Sequence, residues 1–207
     1  MKTIEIQIYK FDELSEDAKQ RAIEKFRNTE DFSYLYEEAY ETVKKFHSIF
    51  QTSEGRDSWL DVRVNYDDDI LNLTGQRLAT YLWNNYKNDI YEGKYYGKLV
   101  YTDKWGEKLP ISKEHPIGAR HVKRYSKVFL SNCCVLTGVC YDDSILRPIY
   151  DFIEKPNQYN IEDLINFCFD ELKNDIESEI DSRNEDEYII ETIEVNEYDF
   201  TEDGELY

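Results

Sequence analysis

The chain has 207 residues, 41% hydrophobic and 15% aromatic, and a formal net charge of −19. That length holds one sizeable core or two small ones, and 18 Tyr with 10 Phe argue against disorder despite the acidity. A strongly anionic chain is repelled by nucleic acid and by anionic lipid, so direct nucleic-acid binding and membrane association are not expected.

In chain order, residues 3–9 alternate Ile4, Ile6 and Ile8 with Glu5 and Gln7, which predicts a half-buried strand. Ser15 caps a helix whose first turn holds Glu16 and Asp17 and whose inner face is Ala18, Ala22, Ile23 and Phe26. Leu35, Ala39, Val43, Phe46 and Phe50 recur at helical spacing and predict a second helix over 32–50. Residues 59–66 alternate through Leu60, Val62 and Val64 and read as a strand. Residues 74–91 read as a helix carrying Leu78, Tyr81, Leu82 and Tyr86.

The segment 93–127 differs from what precedes it. Nine Lys or Arg face three acids there, and Gly93, Gly97, Gly106, Pro110, Pro116 and Gly118 interrupt long elements. It reads as a hairpin or extended loop with its best strand at 99–102. Residues 128–141 are apolar and β-rich, and Ser144 caps a short helix with Pro148 near its first turn. Asn160 caps the longest helix, 161–183. Residues 188–200 read as a strand, and Glu202-Asp203-Gly204 as a turn. Together these elements predict a single α+β domain over 1–207, a mostly antiparallel sheet with helices packed on one face. The basic segment 93–127 and an acidic helix–strand segment 160–207 are its two distinctive parts.

Residues 160–207 hold 18 carboxylates and two cations, Lys173 and Arg183, whereas the other 159 residues hold 26 acids and 23 bases. On a helical projection of 161–183, Ile165, Cys168, Phe169, Leu172 and Ile176 fall on one side. Asp163, Asp170, Glu177 and Asp181 fall on the other. Glu185, Asp186, Glu187, Glu191, Glu194 and Glu197 continue the acidic run. A solvated face that keeps the chain soluble accounts for one such row. Solvated helices commonly mix signs for i,i+4 pairing, however, and this segment is nearly without cations. A linear row of carboxylates follows the charge of a nucleic-acid backbone at lower density. It therefore suits the basic groove of a nucleic-acid-binding protein.

The basic segment interleaves Lys94, Lys98, Lys123 and Arg124 with Tyr95, Tyr96 and Tyr125. Cations among ring faces are what single-stranded nucleic acid requires. The competing reading is charge complementarity, with this pole docking on the acidic one within the chain or in a homodimer. His115, His121 and the cysteines Cys133, Cys134 and Cys140 lack zinc-ligand spacing, so reduced thiols are expected and no metal or cofactor. Cys133 and Cys134 are expected on opposite sides of a strand. Asp67-Asp68-Asp69 lack the glycine and distal glutamate of a calcium loop. No nucleotide-binding, hydrolase or metalloprotease signature occurs, and no catalytic residue is assigned.

The opening Ile6-Gln7-Ile8-Tyr9-Lys10-Phe11-Asp12-Glu13-Leu14-Ser15-Glu16-Asp17-Ala18-Lys19-Gln20-Arg21-Ala22-Ile23-Glu24 resembles the N-terminus of small proteins encoded by phages and mobile elements of Gram-positive bacteria. Some members are labelled antitoxins of a toxin–antitoxin stability system. The resemblance implies a mobile-element origin and carries no catalytic residue. In that setting the overall character resembles nucleic-acid-mimicking anti-CRISPR and antirestriction inhibitors. The leading expectation is a cytoplasmic, non-enzymatic DNA mimic that binds a host defence nuclease in the bacterial cytosol. The alternatives are an antitoxin-like or nucleic-acid-binding regulator using 93–127, and an unsignatured enzyme acting on a defence component.

Overall fold

The computed structural model describes residues 7–91 and 134–207, with the backbone of the strands at 97–102, 108–109 and 121–126. The chain is α+β, with helix the dominant element. In order they are α1 (Glu16–Thr29), α2 (Ser33–Ile49), β1 (Thr52–Glu54), β2 (Val62–Val64), α3 (Asp68–Leu71), α4 (Gly75–Ile90) and β3 (Gly97–Thr102). Then follow β4 (Lys108–Leu109), β5 (His121–Ser126), α5 (Tyr141–Glu154), α6 (Ile161–Arg183) and α7 (Asp186–Val195). The chain divides into two compact units. Unit 1 comprises Met1–Ala39 and Lys173–Tyr207, and unit 2 comprises Tyr40–Leu172.

Unit 1 is built around α1. Ser15 accepts from the Ala18 N–H at 3.3 Å, which makes it the N-cap that the sequence predicts. The apolar face of α1 supplies Ala18, Ala22 and Ile23, which pack with Phe11, Leu14, Ile189, Ile193 and Phe200. Tyr9 and Phe200 exchange backbone hydrogen bonds of 2.9 Å in both directions, and Phe200 forms a second antiparallel bridge with Leu206. The expected N-terminal strand is, over its described residues, this single bridge; residues 3–6 lie outside the described part.

The segment 188–200 corrects the sequence reading. It forms helix α7 over Asp186–Val195 and not a strand. Its β-branched residues argue for a strand on propensity alone, but Ile189 and Ile193 are spaced i,i+4 and both are buried in the unit 1 core. Glu185 is the N-cap, Asp186 and Glu187 occupy the first turn, and Glu197 in the left-handed region (φ 52°) follows its end.

Unit 2 packs the aromatic faces of its helices together. Phe46 stacks on Phe50 at 4.4 Å and meets Phe169 edge-on at 5.6 Å, while Phe50 lies 4.6 Å from Tyr86. Leu78, Leu82, Ile90, Ile145, Leu146, Ile149 and Ile165 are buried with them. The strands at 52–54 and 62–64 form an antiparallel pair with Thr52 opposite Val64. The Gly55 N–H donates to the Asp61 carbonyl at 2.6 Å in their connection. A second, three-stranded antiparallel sheet has the order β4-β3-β5. These short strands do not amount to the mostly antiparallel sheet expected: 188–200 is helical, and only Val62–Val64 of 59–66 is strand.

Two further expectations change at the start of α5. Residues 134–140 contain turns and bends without a strand, and Cys134 takes a left-handed φ of 60°; 128–133 lie outside the described residues. The helix begins at Tyr141 with Cys140 as N-cap, so Ser144 lies within it and Pro148 two turns in. Asp142 organises this corner. Fully buried, it accepts from the N–H groups of Leu136 (2.8 Å), Thr137 (2.6 Å) and Gly138 (3.0 Å) and from the hydroxyls of Thr137 (2.7 Å) and Thr42 (3.0 Å). Backbone donors converging on a carboxylate replace the ladder that the apolar sequence suggests.

Candidate functional site

Helix α6 follows its predicted course. The Asp163 N–H donates to Asn160 Oδ1 at 2.9 Å, and the Asn160 N–H donates to Asp163 Oδ2 at 3.2 Å, a reciprocal cap. Ile165, Cys168, Phe169, Leu172 and Ile176 are buried, and Asp163, Asp170, Glu177 and Asp181 are exposed on the opposite face of the helix. Burial pushes the Cys168 thiol well above its ordinary pKa, which keeps it protonated and unreactive. Cys134 and Cys140 are also free thiols, and Cys133 lies outside the described residues.

All ten carboxylates singled out from the sequence are exposed. Asp163 and Asp170 belong to unit 2, and Glu177, Asp181, Glu185, Asp186, Glu187, Glu191, Glu194 and Glu197 to unit 1. Asp186 is engaged by the Arg27 guanidinium, and Asp163 serves the helix cap. The other eight side chains have no hydrogen-bond or ion-pair partner among the described residues. Glu191 and Glu194 stand on α7 and not on a strand, and Glu197 follows it.

Charge divides between the units far more unevenly than size does. Unit 1 carries 24 carboxylates against eight cations, a net −16, and unit 2 carries 20 against 17, a net −3. Six of the unit 1 cations are already paired. Lys10 meets Asp199 at 2.8 Å, Lys19 meets Glu16 at 3.1 Å, Arg21 meets Asp203 at 3.8 Å and Arg183 meets Glu179 at 2.7 Å; Lys25 and Arg27 pair with Glu205 and Asp186. Arg183 also lies between the rings of Tyr34 and Tyr188, at 5.5 and 5.6 Å. The pairs at Lys10, Arg21, Lys25 and Arg27 tie distant stretches of chain together. They leave Glu177 and Asp181 of α6 and Glu187, Glu191 and Glu194 of α7 without an ion-pair partner among the described residues.

In the basic segment the register sets Lys98 opposite Tyr125, Leu99 opposite Arg124 and Val100 opposite Lys123 between β3 and β5. Lys94, Tyr95 and Tyr96 lie outside the described residues, as does His115. Asp67 precedes α3, and Asp68 and Asp69 form its first turn. Among the described residues no group of three or more His, Cys, Asp or Glu side chains is placed to hold a metal ion. Nor is any helix among them long and apolar enough to cross a membrane.

One feature of unit 2 escapes the sequence reading. A groove of about 630 Å³ runs beside α5 and α6, lined by Arg147, Asp151, Glu154, Tyr159, Phe167 and Glu171 among others. The Tyr159 and Phe167 rings meet edge to face at 4.8 Å and are 44% and 39% exposed. The signal was present: Phe167 projects about 200° from Ile165, on the acidic side of α6. No protein-family model, no curated protein and no solved structure matches this chain.

Proposed function

We propose that this is a phage- or mobile-element-encoded anti-defence protein of the anti-CRISPR type. It acts in the host cytosol, without catalysis, by occupying the basic nucleic-acid channel of a nuclease. The observation that carries this reading is the net charge of −16 on unit 1, whose cations are mostly consumed in internal pairs while Glu187, Glu191 and Glu194 of α7 stay unpaired among the described residues. A channel built to neutralise phosphates offers such a surface the complementary field, which speeds encounter and makes it salt-sensitive. The resemblance of residues 6–24 to mobile-element proteins supports the biological setting. An antitoxin-like or nucleic-acid-binding regulator is the second reading, favoured by the β3–β5 register that sets Lys98 against Tyr125.

A gel shift with the purified protein separates the two, since only the regulator retards DNA or RNA by itself. Capture from a lysate carrying CRISPR and restriction systems, followed by release with competing duplex, tests the first directly. Release by duplex supports an occupied nucleic-acid channel, and retention in saturating duplex rejects it.

A further inference from the structure

We propose that the Tyr9–Phe200–Leu206 ladder of unit 1 receives an extended segment of a cationic protein partner, which adds a strand beside Leu206 and seats one apolar side chain against α1. Phe200 is the middle of this ladder, and its N–H and carbonyl are taken up by Tyr9. Leu206 is held opposite it by two flanking bonds of 2.9 Å, from the Thr201 N–H to the Glu205 carbonyl and from the Tyr207 N–H to the Asp199 carbonyl. In that register the Leu206 N–H and carbonyl face away from Phe200, and neither has a hydrogen-bond partner among the described residues. They form the donor–acceptor pair that an added strand takes up.

A second observation lies beside this edge. A pocket of about 250 Å³ opens between α1 and the ladder, with largely apolar walls that include Ala22, Phe26, Thr29, Phe200 and Leu206. That volume suits one side chain and not a drug-sized ligand. Directly opposed residues of an antiparallel pair share a face, so a residue paired with Leu206 turns its side chain to the side of Phe200, which is buried against α1. The free backbone pair and the pocket therefore address the same residue of an incoming strand.

Charge selects the occupant. The acids of residues 199–207 are Asp199, Glu202, Asp203 and Glu205, and all but Glu202 are paired, with Lys10, Arg21 and Lys25 respectively. Lys25 also lines the pocket, so the rim is close to neutral and accepts an apolar side chain. Beyond the rim, the −16 of unit 1 repels a second copy of this chain and draws a strand flanked by Lys or Arg. That the strand belongs to a nuclease rests on the proposed function; the strand addition itself does not.

The experiment titrates acetyl-Lys-Thr-Leu-Thr-Lys-amide into the whole protein and follows the Leu206 amide and the Ala22 methyl group by NMR. Saturable shifts of both are expected, with the Leu206 amide becoming protected from exchange. Methylating the nitrogen of the peptide's central leucine keeps its charge and side chain but removes the donor to the Leu206 carbonyl, and should weaken binding about tenfold. Glu in place of both Lys should also weaken it, by a factor that shrinks as salt rises. Absent shifts, or equal affinity for either control peptide, overturns the proposal. So does a Leu206 amide already protected in the free protein where it sediments as a dimer, which would assign the edge to a second copy. Failure here eliminates the edge and leaves the acidic surface of α6 and α7 to be judged by duplex competition, which uses no peptide.

Discussion

Gly204 occupies a position that no other residue fits. Its φ is +83°, and a Cβ there would lie 2.2 Å from the Ala18 carbonyl oxygen, so the C-terminal turn sits directly on the backbone of α1. Gly204→Ala should destabilise unit 1 by more than about 1 kcal/mol, read by chemical denaturation, since both the conformation and the contact must yield. An unchanged midpoint would show that the turn does not dock on α1. His47 carries a second residue-scale consequence. Its Nδ1 lies 2.8 Å from Thr52 Oγ1, its ring stacks on Phe169, and its buried Nε2 has no hydrogen-bond partner among the described residues. Burial holds its pKa below the usual 6.5, with Glu54 pulling weakly the other way. On acidification the unfolded chain therefore takes up the proton first. The stability associated with His47 is complete above about pH 6.5 and is lost as the pH falls toward the depressed folded value. Comparing wild type with His47→Gln should show a stability difference that shifts against wild type between about pH 7.5 and 5. A difference independent of pH would contradict the account.

At the scale of elements, α7 is the sharpest test because its sequence argues for the other structure. Glu191 is exposed in its interior, so Glu191→Pro should cost about 3 kcal/mol in thermal or chemical unfolding while Glu191→Ala stays within about 0.5 kcal/mol. Equal effects of the two substitutions would argue against a helix. The helices α1, α2, α4 and α6 were legible because their apolar residues recur every three or four positions over long stretches, with Ser15 and Asn160 at the starts of α1 and α6. Helix α7 was not. Its two core residues, Ile189 and Ile193, are too few to set a period against β-rich neighbours, and only packing on α1 decides the matter. The loop before α5 was illegible for a related reason: Asp142 reads as a surface acid until the donors of Leu136, Thr137 and Gly138 are seen to converge on it. The acidic residues were located correctly as exposed, because charge opposite an apolar stripe projects outward in any helix. The Tyr159–Phe167 groove was missed although Phe167 stood on the wrong side of that projection.

Across the whole molecule, net charge and compact units coincide, with −16 on unit 1 and −3 on unit 2. Surface charge of that density destabilises by self-repulsion, and the anti-defence role proposed above would give that field a use. Asp163 belongs to the α6 cap, so reversing it would mix folding with binding; Glu177, Asp181, Glu191 and Glu194 are exposed and unpaired among the described residues of unit 1. The most direct measurement is therefore the affinity of the captured nuclease for wild type and for the variant with those four residues changed to Lys, at about 50 and 200 mM salt, with thermal melting as the folding control. The account predicts that the folded variant binds far more weakly and that the steep salt dependence of the wild type flattens. A folded variant with unchanged affinity and unchanged salt dependence would contradict it.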